Sequence, residues 1–172
     1  MGILDNLKKL TTPEEIFTWK LGAALSMENE VLNSLQDMQQ ETPRPEIREL
    51  LQRHEAESRE QIDRIKECFR LLEEDIDDSP CPAIQGISKE GKATLKKIDD
   101  SIVDAGILSG AIETEHHEIA VYEILVTNAK ARGREDVADL LAKNLQEEEQ
   151  MLERVKEIAE RIAMGEGYAV AA

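Results

Sequence analysis

Apolar residues recur every three or four positions along four long stretches, which predicts four amphipathic helices. The first stripe reads Phe17, Leu21, Ala24, Glu28, Val31, Leu32, Leu35, Met38. The second reads Ile47, Leu50, Leu51, His54, Glu57, Gln61, Ile65, Cys68, Leu72. The third runs through Leu108, Ala111, Glu115, Glu118, Tyr122 and Leu125, and the fourth through Val137, Leu141, Asn144, Leu145, Glu148, Met151, Leu152, Val155, Ile158 and Ile162. Thr12-Pro13-Glu14-Glu15 opens the first helix, with Thr12 as cap, Pro13 at the first helical position and Glu15 closing a capping box. Thr42-Pro43-Arg44-Pro45 ends that helix and starts the next. Gly133 is a terminator for the third. The expected helices cover 12–41, 45–74, 96–131 and 135–163.

Short links between the first and second helices, and between the third and fourth, make each pair an antiparallel hairpin. Residues 75–100 break the pattern. They hold Pro80 and Pro82 and a stretch with Gly86 and Gly91 that supports at best a short helix. The expected fold is all-α: a four-helix bundle with a short extra helix in the crossover between the hairpins. It forms a single domain over 1–172, with an amphipathic N-terminal arm at 1–11 and a loose tail at 164–172.

Charged residues interrupt every stripe: Glu28 on the first helix, His54 and Glu57 on the second, Glu115 and Glu118 on the third, Glu148 on the fourth. A carboxylate facing a bundle core is costly unless its charge is compensated. Residues equally far from a hairpin turn lie at equal height. Glu28 and Glu57 are centred on residue 42.5, and Glu118 and Glu148 on residue 133, which are the two turns. Each pair stands roughly 20 Å from its turn. Any one of these glutamates alone is better read as turning out to water. Six groups on four stripes at matched depth point to a cation. Five carboxylates and one imidazole suit two iron or manganese ions, with zinc as an adventitious occupant. The order H-x-x-E on the second helix and E-x-x-E on the third departs from the usual E-x-x-H. The string Glu113-x-x-His116 does occur, but Glu113 points away from the stripe. His116 lies at the stripe's edge, as a ligand or a supporting group; His117 belongs at the surface. Tyr122 is read as a packed core residue.

Composition narrows the classes. Of 172 residues 41% are apolar and 34% charged, and the net charge is −16. That balance argues against nucleic acid and anionic membrane as partners. No run is long enough to span a membrane and no leader is visible, so the expected location is cytoplasmic. Cys68 and Cys81 form no C-x-x-C pair and are weak evidence for a reducing compartment.

The run E-H-H-E-I-A-V-Y at 115–122 resembles the E-H-Y-E-I-A-A-Y signature of the bacterial ferritin-like family DUF892, the YciF-like proteins. S-M-E-N-E-V-L at 26–32, H-E-A-E-S-x-x-Q from His54, L-Q-E-E-E at 145–149 and C-P-A-I-Q-G-I at 81–87 agree with it. The likeness covers 12–163. It implies a ferritin-like four-helix bundle, commonly dimeric, with a dinuclear metal site and a link to stress responses. The family pattern carries over to Glu28, His54, Glu57, Gln61, Glu115, His116, Glu118 and Glu148; His117 stands where the family has an aromatic residue. Two functional expectations follow. One is a di-metal protein acting on O2 or peroxide as an oxidoreductase. The other is a bundle without turnover, stapled by metal or metal-free, serving as a structural or stress adaptor. A homodimer is expected from the resemblance and from the N-terminal arm.

Overall fold

The computed structural model describes residues 9–165. Four long helices are present: α1 (Pro13–Glu41), α2 (Pro45–Leu72), α4 (Val103–Ala131) and α5 (Glu135–Ala163); a shorter α3 (Pro82–Leu95) lies in the crossover. Most of the expected arm, and the tail beyond Gly165, fall outside the described residues.

The helix ends follow local chemistry. Thr12 caps α1 by accepting the Glu15 N–H at 3.1 Å, and Glu15 returns a bond to the Thr12 N–H at 3.3 Å. α2 ends two residues earlier than its pattern suggests, because Glu73 turns left-handed at φ 58° and its N–H closes on the last carbonyls. Gly133, at φ 67°, makes the turn into α5.

The crossover departs most from expectation. α3 is a full 14-residue helix despite Gly86 and Gly91. Pro82 starts it, and Ile84, Ile87 and Leu95 anchor it to the core. Tertiary packing outweighs the weak local propensity. α4 begins at Val103 rather than near 96, after a 3-10 turn at Asp100–Ile102 in which Asp99 accepts the Ser101 N–H at 2.9 Å. A close approach at Gly106 sets this corner, since a Cβ there would overlap Ile98 Cδ1. At Gly22, likewise, a Cβ would sit 2.8 Å from the Asp77 carbonyl oxygen, so the linker can lie directly on α1.

The hairpins α1–α2 and α4–α5 pack side by side, α1 on α4 and α2 on α5, with α3 laid over α1 and α4. One continuous apolar core fills the interior, with Leu21, Ile47, Ile65, Phe69, Leu125 and Leu141 fully buried. Each such side chain contributes about 1.5–3 kcal/mol. This is the four-helix bundle that the periodicity predicts, with the extra helix in the crossover. Among the described residues no helix is long and apolar enough to cross a membrane.

Candidate metal centre

At mid-height the apolar core gives way to a layer of carboxylates. Glu28 on α1, Glu115 and Glu118 on α4, and Glu148 on α5 are each 0% exposed, and His54 on α2 is 3% exposed. All occupy stripe positions flanked a turn away by apolar residues, so the burial that folds the helices carries these groups inside. One ligand atom from each of His54, Glu115, Glu118 and Glu148 lies within 4.8 Å of the others. That group could hold a metal ion.

His54 sits between two carboxylates, with Nδ1 3.2 Å from Glu115 Oε1 and Nε2 3.4 Å from Glu148 Oε2. These are ion-pair distances without hydrogen-bond alignment. Both oxygens of Glu115, Glu118 and Glu148, together with Glu28 Oε2 and His54 Nε2, are buried without a hydrogen bond. Buried polar atoms are ordinarily satisfied, and a cation is one partner that could satisfy this many carboxylate oxygens in one place. The donor set is oxygen-rich with one imidazole, which fits iron, manganese or zinc rather than a thiophilic ion.

The electrostatics agree. Burial, then Glu148, pushes the Glu28 carboxyl up to about 8, against the hydrogen bond from Tyr122 and the charges of His54 and Arg64. Burial, then Glu148, Glu28 and Glu115, holds Glu118 well above the usual carboxylate range. Glu115 is raised too, by burial first, with His54 opposing and Glu148 and Glu28 adding to it. For His54 burial alone would lower the value, but Glu115, Glu148 and Glu28 overcome it and raise it to about 10. Without a metal, protons and the imidazolium balance the group's charge.

The remaining sequence candidates lie around this group. Glu57 is outside it, half-buried, with Oε1 3.1 Å from Arg53 Nε and 3.7 Å from Arg154 Nη1, while its Oε2 is buried without a partner. Gln61 is fully buried, and its Nε2 donates to Glu147 at 3.2 Å. Tyr122 is fully buried and donates its hydroxyl proton to Glu28. Burial holds the Tyr122 phenol well above its ordinary value. His116 is exposed, and so is Glu113, which accepts from Ser109 Oγ at 3.5 Å. His117, expected at the surface, is half-buried with Nε2 3.6 Å from Cys81 Sγ.

The stripes did not single out Asn144 and Arg64. Asn144 is 0% exposed and bridges Tyr122 to Arg64. Its signal was present, as a polar residue on the α5 stripe one turn before Glu148. Arg64 lies on the flank of α2 and had no such signal.

Comparison with known proteins places the chain. The model of the DUF892 family, described as a domain of unknown function, matches residues 12–166. The chain belongs to the DUF892 family. It is 28% identical over 141 residues to the protein YciF of Escherichia coli, covering 81% of this chain and 85% of that protein. The crystal structure of that E. coli protein, described as a stress protein, superposes with a TM-score of 0.83 at 25% identity, over 88% of this chain and 97% of that one. YcfI of Rhodopseudomonas palustris, described as a candidate structural protein, gives a TM-score of 0.83 at 28% identity, over 91% and 98% of the two chains. A DUF892 protein is thus what the bundle is, and its buried His/Glu group is the feature that calls for a function.

Proposed function

We propose that this DUF892 protein is a dinuclear metal-binding protein, holding two iron or manganese ions in the bundle centre. The observation that carries the reading is the set of buried carboxylate oxygens without hydrogen bonds on Glu115, Glu118 and Glu148. His54, Glu115, Glu118 and Glu148 are the proposed inner ligands. Glu28 is the fifth, and Glu57, whose Oε2 is already buried, the sixth. Such ions supply Lewis acidity and one-electron cycling toward O2 or peroxide. The chain's own part is to exclude bulk water, to neutralise the cations with carboxylates and to hold a proton on Tyr122 beside Glu28. The link to stress rests on the description of the E. coli relative. A single-domain cytoplasmic homodimer is part of the same reading.

A second reading keeps the metal and drops turnover. The description of the R. palustris relative as structural favours it, since a cation joining α2, α4 and α5 would staple the bundle. Elemental analysis of protein purified without chelator tests the shared core of both. About two ions per chain are expected, and none would sink it. Consumption of peroxide or O2 by the loaded protein then separates the two readings.

A further inference from the structure

Behind Glu28 a string of side-chain hydrogen bonds runs from α4 through α5 to the α2–α5 seam. Tyr122 Oη bonds Glu28 Oε1. Asn144 Nδ2 lies 3.0 Å from Tyr122 Oη and 3.4 Å from the Gln61 carbonyl oxygen. Arg64 Nε lies 2.5 Å from Asn144 Oδ1, and Arg64 Nη2 bonds Glu147.

The direction of each bond follows from the chemistry of the ends. A guanidinium only donates. Asn144 must therefore meet Arg64 with its carbonyl oxygen, which turns the amide nitrogen toward Tyr122. The Gln61 carbonyl only accepts, and it fixes the same orientation from the other side. Two independent partners thus settle which amide atom is which. With one donor already on its oxygen, Tyr122 gives its own proton to Glu28 Oε1. Glu28 Oε2 stays buried and without a hydrogen bond.

A proton path to the surface is the competing role for such a string. It stops at Arg64, because a guanidinium keeps its protons at any ordinary pH. The string orients; it does not conduct.

We infer that Asn144 is a positioning residue. Held by Arg64 and the Gln61 carbonyl, it fixes the Tyr122 hydroxyl as a donor to Glu28, so that Glu28 offers a bound metal ion one oxygen, Oε2. The last clause rests on the metal reading above; the direction of the hydrogen bonds does not.

Asn144→Asp tests this with little change of shape. The substituted carboxylate accepts from Arg64 and draws the Tyr122 proton to itself, so Glu28 Oε1 loses its donor and both its oxygens become available. Tyr122→Phe removes the donor outright. Arg64→Lys keeps a donor at the head of the string and serves as the conservative rescue. In metal-free protein labelled at the tyrosine Cζ carbons, Asn144→Asp should move the Tyr122 resonance and Arg64→Lys should leave it near the parent position. In protein loaded with Co(II), Asn144→Asp and Tyr122→Phe should change the visible band in the same sense. Absorbance per bound ion should fall as Glu28 chelates through two oxygens, and Arg64→Lys should match the parent. A purely structural role would lower the amount of Co(II) bound and leave the spectrum per bound ion unchanged. Spectra of Asn144→Asp and Tyr122→Phe that superimpose on the parent per bound ion would overturn the inference. So would a Tyr122 resonance indifferent to Asn144→Asp. If the parent binds no Co(II), the metal reading and the clause resting on it fall together, and the resonance still decides the orientation.

Discussion

Two buried acidic regions of this bundle are built in opposite ways. At the end of the α1–α2 hairpin, Asp104 of α4 is 6% exposed, yet both its oxygens are engaged: Thr42 Oγ1 donates at 2.6 Å and Arg44 Nε at 2.7 Å. Thr42 Oγ1 in turn accepts the Arg44 N–H at 3.3 Å. Fourteen residues further along α4, Glu118 is fully buried and neither of its oxygens has a partner. The same helix thus carries one carboxylate whose burial is compensated within the protein and another whose burial is not. The first ties the α1–α2 turn to the start of α4 and is complete as it stands. The second is incomplete unless protons or a cation join it. Burial of an acid is therefore no sign of a metal by itself; burial of several acids together without partners leaves a place that a cation could fill.

Removing the acid should have opposite consequences in the two places. Asp104→Ala should destabilise the fold by about 3 kcal/mol, since it leaves Thr42 and Arg44 without their acceptor. Denaturant unfolding would show the loss at pH 5.5 and 7.5 alike, with or without metal. Glu118→Gln should instead stabilise the metal-free protein at pH 7.5 by about 1–2 kcal/mol, because it removes a buried acid with no partner. It should also weaken Mn(II) binding at least tenfold, which calorimetric titration would measure. A Glu118→Gln protein that binds Mn(II) like the parent would refute the assignment of Glu118. The smallest effect is expected one residue past the cluster. Glu149 is exposed, so Glu149→Gln should shift stability by no more than about 0.5 kcal/mol and leave metal binding unchanged.

The long helices were legible because the 3.6-residue period is carried by large apolar side chains at nearly every core position. The burial of the candidate site was legible for a related reason: Glu28, His54, Glu115, Glu118 and Glu148 stand on the stripes that bury their neighbours. Glu57 shares the α2 stripe, and its carboxylate is divided: Oε1 meets Arg53 and Arg154 while Oε2 is buried without a partner. Periodicity assigns a face; it does not say how a long side chain divides its oxygens. α3 was underestimated because two glycines lower its local propensity, whereas Ile84 and the helices beneath it supply what propensity lacks. Arg64 was hidden, and Asn144 showed only as a polar residue on the α5 stripe, because their part depends on hydrogen bonds between helices and a single stripe does not encode those. His117 was expected outside; its contact with Cys81 arises only when the crossover folds back over α4.

The central claim is that the buried group is completed by a cation, and the pH dependence of stability tests it most directly. Glu28 is raised from 4.5 to about 8 in the folded protein. Between those values the folded state holds a proton that the unfolded state has lost, so stability falls as pH rises. His54 is raised from 6.5 to about 10. Its contribution is fully present below 6.5 and is lost as pH climbs through 10, which has the same sign. Thermal melting of the parent should be followed at pH 5.5 and 7.5, metal-free and with Mn(II) in the absence of air. The account predicts a lower melting temperature at pH 7.5 than at 5.5 without metal, and a gain on adding Mn(II) that is larger at pH 7.5, because binding releases the protons the group holds. Equal melting temperatures at the two pH values, with no response to Mn(II) at either, would contradict it.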